Sequence, residues 1–156
     1  MALEFSTADF HLLYGVETTA GTKPSSFIEI KNVVSLSEIS LEQQVADVTT
    51  IDQTVAHQYI EVLPDPGGTY SLTANFTSDF KTAWATARSS AKTGWASGLA
   101  TWFEIKFPAD SGYTDSFFFT GIPGQMGAPA VEVGNATQGT VTIAVREIKG
   151  YSTAST

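Results

Sequence analysis

The chain has 156 residues, of which 42% are hydrophobic and 15% charged, and this size and balance predict one domain with its own core. It contains no cysteine, which excludes a disulfide framework, a thiolate nucleophile and a cysteine-ligated zinc site. The formal net charge of −8 argues against ordinary nucleic-acid binding, which depends on clustered lysine and arginine.

The sequence shows no sign of a membrane span or an export signal. No apolar run approaches the roughly 20 residues that a membrane span needs, and Met1-Ala2-Leu3-Glu4 lacks a basic region followed by an apolar one. We therefore expect a soluble protein with no membrane partner.

The first part of the chain predicts an arm and three strands. Residues 1–9 show no clear period and are expected to be a flexible N-terminal arm that becomes ordered only against another surface. Residues 10–17 and 27–34 have strand patterns, and the Thr, Gly and Pro signals at 18–25 separate them. Residues 38–45 alternate more weakly, which indicates a more exposed strand.

A long acidic hairpin loop is predicted at residues 42–68. It is weakly patterned beyond residue 46 and closes with the turn signal Pro64-Asp65-Pro66-Gly67-Gly68. No lysine or arginine occurs between Lys31 and Lys81, so nearly the whole net charge lies in this interval. The acidic residues are Glu38, Glu42, Asp47, Asp52, Glu61, Asp65 and Asp79.

Loops of this length are usually functional or mobile, and the apolar residues of this one need covering. A long solvated hairpin without a partner is one interpretation, but a contact element between subunits is favoured. The residues predicted to make that contact are Asp47, Val48, Ile51, Asp52, Val55, Tyr59, Ile60, Glu61 and Asp65.

Residues 69–107 predict a strand, a helix and a second strand. Residues 69–77 alternate without a fault, and residues 101–107 alternate again. Between them, residues 79–95 predict a helix that Ser78 or Asp79 caps and that Gly94 or Gly98 ends. One apolar stripe at helical spacing consists of Phe80, Ala83, Trp84, Ala87, Ala91 and Trp95.

The last third of the chain predicts more strands and a tail. Residues 115–122 include Phe117, Phe118 and Phe119 and are apolar on both faces, so this strand is predicted to be central. Residues 130–133 and 140–148 follow as strands, and residues 151–156 as a loose C-terminal tail. The whole pattern predicts a mainly β (α+β) protein: an antiparallel β-sandwich or barrel-like domain with one flanking helix.

The sequence offers no persuasive catalytic, cofactor or metal site. A Gly-x-Ser-x-Gly elbow, a phosphate loop and a His-Glu-x-x-His motif are all missing, and His11 and His57 stand far apart. Paired carboxylates such as Asp47 and Asp52 are more typical of a solvated loop than of acid and base catalysis. We therefore expect a protein that is not an enzyme.

Three basic residues share one strip of the predicted helix. Lys81, Arg88 and Lys92 lie at i, i+7 and i+11, beside the apolar stripe. Such a strip is usually just a solvated face. The alternative hypothesis is that it receives the acidic loop of a neighbouring copy and gives that contact its orientation.

The order of these features resembles the major tail tube proteins of long, non-contractile bacteriophage tails. In that family an acidic, Thr-rich loop leads to a Gly-containing turn, a strand ending in Asn-Phe, and then a helix. The matching stretches are Val33-Val34-Ser35-Leu36, Asp47-Val48-Thr49-Thr50-Ile51-Asp52, Tyr59-Ile60-Glu61-Val62-Leu63-Pro64-Asp65-Pro66-Gly67-Gly68 and Tyr70-Ser71-Leu72-Thr73-Ala74-Asn75-Phe76. Residues 102–108, Thr120-Gly121 and residues 139–148 extend the resemblance, which covers about residues 28 to 150.

The resemblance implies a virion protein that assembles, in the host cytoplasm, into hexameric rings stacked as a hollow tail tube. Its implied partners are copies of itself, a tape-measure protein, a tail terminator and a distal tail protein. DNA would pass through the lumen without specific binding, and the loop at 42–68 would contact adjacent subunits and rings.

Two other functions remain open at this point. One is a related ring protein, such as a tail terminator or the tube of a contractile or secretion apparatus. The other, of a different class, is a monomeric carbohydrate-binding or adhesion module, which predicts exposed aromatic residues and no self-assembly.

Overall fold

The computed structural model describes residues 9–52, 55–65 and 68–155, so the predicted arm at residues 1–9 lies outside it except for Asp9. The described chain forms nine strands, one α-helix and a short 3-10 helix, Ala109–Ser111. In chain order these are β1 (His11–Val16), β2 (Ile28–Ile30), β3 (Val33–Leu36), β4 (Glu42–Asp47), β5 (Tyr59–Asp65), β6 (Thr69–Asn75), α1 (Ser78–Ala96), β7 (Thr101–Lys106), β8 (Asp115–Pro123) and β9 (Gln138–Thr153).

Seven of these strands form one antiparallel sheet in the order β2-β1-β7-β8-β9-β6-β3. Its two edge strands, β2 and β3, are consecutive in the chain, and only Lys31 and Asn32 separate them. Two linking residues span at most about 11 Å between Cα atoms, so the two edges lie close together and the sheet curls on itself. This confirms the predicted antiparallel, barrel-like fold with one flanking helix.

The core lies where the inner sides of the strands meet α1. The ring of Phe119 is 5.3 Å from that of Tyr70 and 5.5 Å from that of Phe103, between ring centres. All of the largest core residues are almost fully buried. The cluster comprises Leu12, Tyr14, Ile30, Tyr70, Leu72, Ala74, Phe80, Trp84, Ala87, Phe103, Phe119, Val141 and Ile143.

The helix differs from its prediction at its N-cap and on one face. Its N-cap is Thr77, whose side-chain oxygen accepts a hydrogen bond from the Phe80 N–H, rather than Ser78 or Asp79. It ends at Ala96 with Ser97 as its C-cap, and the predicted stop Gly98 follows with a φ of +74°, which allows the Leu99 N–H to donate to the Gly94 carbonyl. The buried face continues from Ala91 to Gly94, while Trp95 is 52% exposed, so its predicted place on the core stripe is wrong.

The central strands β7 and β8 are covered on both faces, as predicted for β8. On the outer face, the segment between β1 and β2 folds over them, with the Phe27 ring 5.6 Å from that of Phe118. Glu17 is buried there and accepts hydrogen bonds from the Trp102 indole N–H (2.7 Å) and from the Ala100 N–H (3.1 Å).

Several predicted elements are corrected by the structure. The strand predicted at 27–34 is two strands, because Asn32 adopts a left-handed φ of +67° between them. The strand predicted at 38–45 begins only at Glu42, and residues 130–133 form just one isolated bridge, at Ala130.

The predicted loose tail at residues 151–156 is also wrong for the residues that the structure describes. Strand β9 runs to Thr153, and Ser155 then donates through its backbone N–H (3.0 Å) and its hydroxyl to the buried carboxylate of Glu104. A buried carboxylate needs such donors. The contact joins residues 51 positions apart, so the local alternation of the sequence does not predict it.

Candidate functional site

The acidic loop predicted at residues 42–68 is built on a β-hairpin that is separate from the main sheet. Strands β4 and β5 pair with each other in an antiparallel two-stranded sheet, in which Asp47 faces Tyr59 and Ala46 faces Ile60. A two-stranded hairpin alone is marginally stable in water. This arrangement therefore favours an element that is completed by contact with another surface.

The end of this hairpin is organised by hydrogen bonds around Asp47. Its carboxylate accepts from the Thr49 N–H (2.9 Å) and the Thr49 hydroxyl, and lies 3.1 Å from Nδ1 of His57. The Val48 N–H donates to the Gln58 carbonyl (2.8 Å). The hydrogen bonds from Thr49 lower the pKa of Asp47, so its negative charge is held at the hairpin end.

Asp52 is the second carboxylate of the hairpin end. It accepts a hydrogen bond from the Thr50 hydroxyl, which lowers its pKa in the same way. Glu61 is exposed in β5, opposite Val45. Asp65 closes β5, and its side chain lies outside the described residues.

The same hairpin exposes most of its predicted apolar contact residues. Ile51 is fully exposed and Val55 is 94% exposed, and these two flank the end of the hairpin. Tyr59 and Ile60 are each more than half exposed, and Val48 is partly so. Several exposed apolar side chains on one hairpin favour a surface that meets a partner.

The predicted basic strip is divided by the structure. Arg88 and Lys92, together with Trp95, line a cleft of about 400 Å³ between α1 and the strands β8 and β9, and Arg146 of β9 lines its other side. Lys81 is exposed on the same helix but does not line this cleft. Seven residues separate Lys81 from Arg88, which is about 10 Å along the helix axis.

Arg146 and Trp95 also line the cleft, although neither belongs to the basic strip predicted from the sequence. The guanidinium carbon of Arg146 lies 4.2 Å from the centre of the Trp95 ring, an ordinary cation–π contact. The strand predicted at 140–148 includes Arg146, but no local pattern indicated that the helix ends beside it.

A larger cavity, of about 920 Å³, lies beside the edge strands β2 and β3. Apolar side chains such as Leu36, Ile39 and Phe117 line it, together with Tyr70, whose buried hydroxyl has no hydrogen-bond partner among the described residues. Burial raises the pKa of this phenol well above its usual range.

Across the described ranges, no three His, Cys, Asp or Glu side chains are grouped so that they could hold a metal ion. In the same part of the chain, no helix is long and apolar enough to cross a membrane.

Two solved structures share this fold. A chain of the cryo-EM structure of the anti-feeding prophage baseplate, six-fold symmetrised, aligns with a TM-score of 0.55 and 10% identity, over 96% of this chain and 96% of that chain. A chain of the cryo-EM structure of the anti-feeding prophage cap, described as a tube-terminating cap, aligns with a TM-score of 0.56 and 11% identity, over 99% and 95%. No protein-family model and no curated protein sequence matches this chain. At these identities the similarity establishes a common fold.

Proposed function

We propose that this chain is a structural, non-catalytic subunit of a phage-type tail. In this proposal, copies of the chain join into rings of six, and the rings stack into a hollow tube through which DNA passes. Its partners are first of all further copies of itself, then a tape-measure protein, a tail terminator and a distal tail protein.

The observation that carries the proposal is the hairpin formed by β4 and β5. It belongs to no larger sheet, and its end exposes Ile51 and Val55 almost completely. Hydrophobic surface buried between copies contributes roughly 25 cal/mol per Å², so seating these side chains against a neighbour is favourable. A repeating contact of this kind closes into rings or continues into a stack.

The electrostatics of the chain are compatible with a tube that DNA crosses. Its net charge of −8 repels the phosphate backbone and opposes binding along the DNA. In this proposal, a negatively charged lumen lets DNA pass without binding to it.

The second candidate is a related ring protein, either one that terminates a tube or the tube subunit of a contractile apparatus. The fold that this chain shares with a chain of a tube-terminating cap structure supports this candidate and the tube subunit equally. The two candidates differ in what happens after the first ring, because a terminator stops there and a tube subunit continues.

Native mass spectrometry over a series of protein concentrations tests the proposal. We expect the 16.6 kDa chain to form a species of about 100 kDa, the mass of six copies, followed by multiples of it. A six-copy species that never grows would favour the terminator candidate. A monomer at every concentration would contradict both and would direct attention to glycan binding.

A further inference from the structure

The cleft between α1, β8 and β9 carries an uncompensated positive charge. Arg88 and Lys92 contribute from the helix, and Arg146 contributes from β9. Among the described residues, none of the three forms an ion pair, and no acidic residue lines the cleft. In a chain with a net charge of −8, a positive cleft without carboxylates is a place where an acidic partner binds favourably.

The cleft also has an apolar component beside its charges. Trp95 is 52% exposed and Ile122 is 43% exposed, although both border a recess that other side chains line. The contact of Arg146 with the Trp95 ring, at 4.2 Å, holds the guanidinium and the indole together. A partner that fits this surface must present carboxylates and apolar side chains next to each other.

The end of the β4–β5 hairpin presents that combination. Asp47 and Asp52 are exposed and are held charged by hydrogen bonds from Thr49 and Thr50, while Ile51 projects fully exposed next to Asp52. Among the described residues, none from the hairpin of the same chain lines the cleft. The cleft is therefore open to the hairpin end of a second copy.

We propose that the cleft of Arg88, Lys92, Trp95 and Arg146 receives the acidic end of the hairpin of a neighbouring copy. Asp47 and Asp52 then face the three cations, and Ile51 packs against Trp95 and Ile122. This inference rests on the proposed self-association and names the surfaces that make it. Lys81 plays no part in the contact, because it lies outside the cleft.

A charge reversal with a matched control tests this contact. The variant Arg88→Glu/Lys92→Glu changes the cleft, whereas Lys31→Glu/Lys81→Glu gives the same net charge through two exposed lysines outside it. We expect the first variant to raise the protein concentration needed for assembly about tenfold or more at low salt, and the control to assemble like the wild type. Circular dichroism and thermal unfolding confirm that both variants are folded.

Equal assembly of the cleft variant and the wild type would overturn the inference and leave the tail proposal standing. If the wild type binds DNA and the cleft variant does not, the cleft belongs to a nucleic acid, and the inference is likewise overturned.

Engineered cysteines test the same contact independently of ring or tube formation. Because the chain has no native cysteine, the variant Asp52→Cys/Lys92→Cys should form covalent dimers and higher ladders under mild oxidation, and Asp52→Cys/Lys81→Cys should not. Crosslinks without large assemblies would support the hairpin contact and contradict the tube. Absence of crosslinks in an assembling protein would contradict the contact alone.

Discussion

At the scale of single residues, Glu17 shows how the outer face of the sheet is held. Its carboxylate is 4% exposed and accepts hydrogen bonds from the Trp102 indole N–H, the Ala100 N–H and the Gly21 N–H (3.1 Å). Burial alone would raise the pKa of this group, but the three hydrogen bonds, with Lys149 nearby, hold the pKa below its ordinary value of 4.5. The charged form is therefore the one that stabilises the fold.

The variant Glu17→Gln is expected to lower the free energy of unfolding at pH 7 by about 1.5–3 kcal/mol. The glutamine amide has an NH₂ group in place of one carboxylate oxygen. This NH₂ group faces N–H donors and cannot accept their hydrogen bonds. Urea unfolding measures the loss. The control is Glu147→Gln, since Glu147 is 65% exposed in its ion pair with Lys149, and its effect should stay within about 0.5 kcal/mol.

The stability difference between the wild type and Glu17→Gln depends on pH because the pKa of Glu17 is lowered in the folded protein. The stabilisation is fully present above about pH 4.5 and is lost as the pH falls through the lower pKa of the folded protein. The difference between the wild type and Glu17→Gln should therefore shrink under acidic conditions. A difference that grew on acidification would contradict the assigned charge state.

Two of the three cations of the cleft are predictable from the sequence, whereas the residues that surround them are not. Arg88 and Lys92 were predicted together from the helical period, which is a local property. Arg146 lies more than fifty residues from both in the sequence, and only the pairing of β8 with β9 brings it to the same cleft. Trp95 was predicted to lie in the core because it follows the helical period of the apolar stripe. The period alone does not show that the last turn of the helix leaves this side chain at the surface.

At the scale of elements, the β4–β5 hairpin is expected to be dispensable for folding and required for assembly. A variant in which Asn-Gly replaces residues 47–59 joins Ala46 to Ile60, which already face each other, through a turn suited to a hairpin. Because no described side chain of β4 or β5 belongs to the core cluster, the free energy of unfolding should change by less than about 1 kcal/mol. Light scattering should show no assembly.

A core substitution gives the contrast for that variant. Leu72 is buried in β6, and Leu72→Ala should cost about 2–5 kcal/mol of stability. If removal of the hairpin end destabilised the monomer as strongly as Leu72→Ala, the hairpin would be part of the fold rather than a contact element.

The elements that the sequence predicted well are those with an unbroken period. Strand β6 has an unbroken two-residue period and helix α1 a helical one. The predicted bounds of both elements lie within two residues of those in the structure. The predicted single strand at 27–34 failed because one left-handed residue, Asn32, turns the chain from one sheet edge to the other. In the hairpin, β4 overlaps the exposed strand predicted at 38–45, whereas β5 is not predicted, because exposed strands carry little hydrophobic alternation.

At the scale of the whole molecule, the curled seven-stranded sheet is the basis for the expectation that the domain folds without the hairpin. Its edge strands β2 and β3 are tied by a two-residue link, and β8 runs through its centre. The fold class was predictable because many short strands and one helix permit few layer arrangements, although only three of the six neighbouring strand pairs in the sheet are consecutive in the chain. The cleft was not predictable, because it depends on where the end of a helix meets a strand pair far away in the chain.

The central claim is that copies of this chain join through their hairpins into stacked rings, and negative-stain electron microscopy of the concentrated protein tests it most directly. Samples are imaged fresh and after days of incubation, with light scattering recorded alongside. We predict rings that stack into hollow tubes for the wild type. Particles that remain single subunits at the highest concentration would contradict the claim.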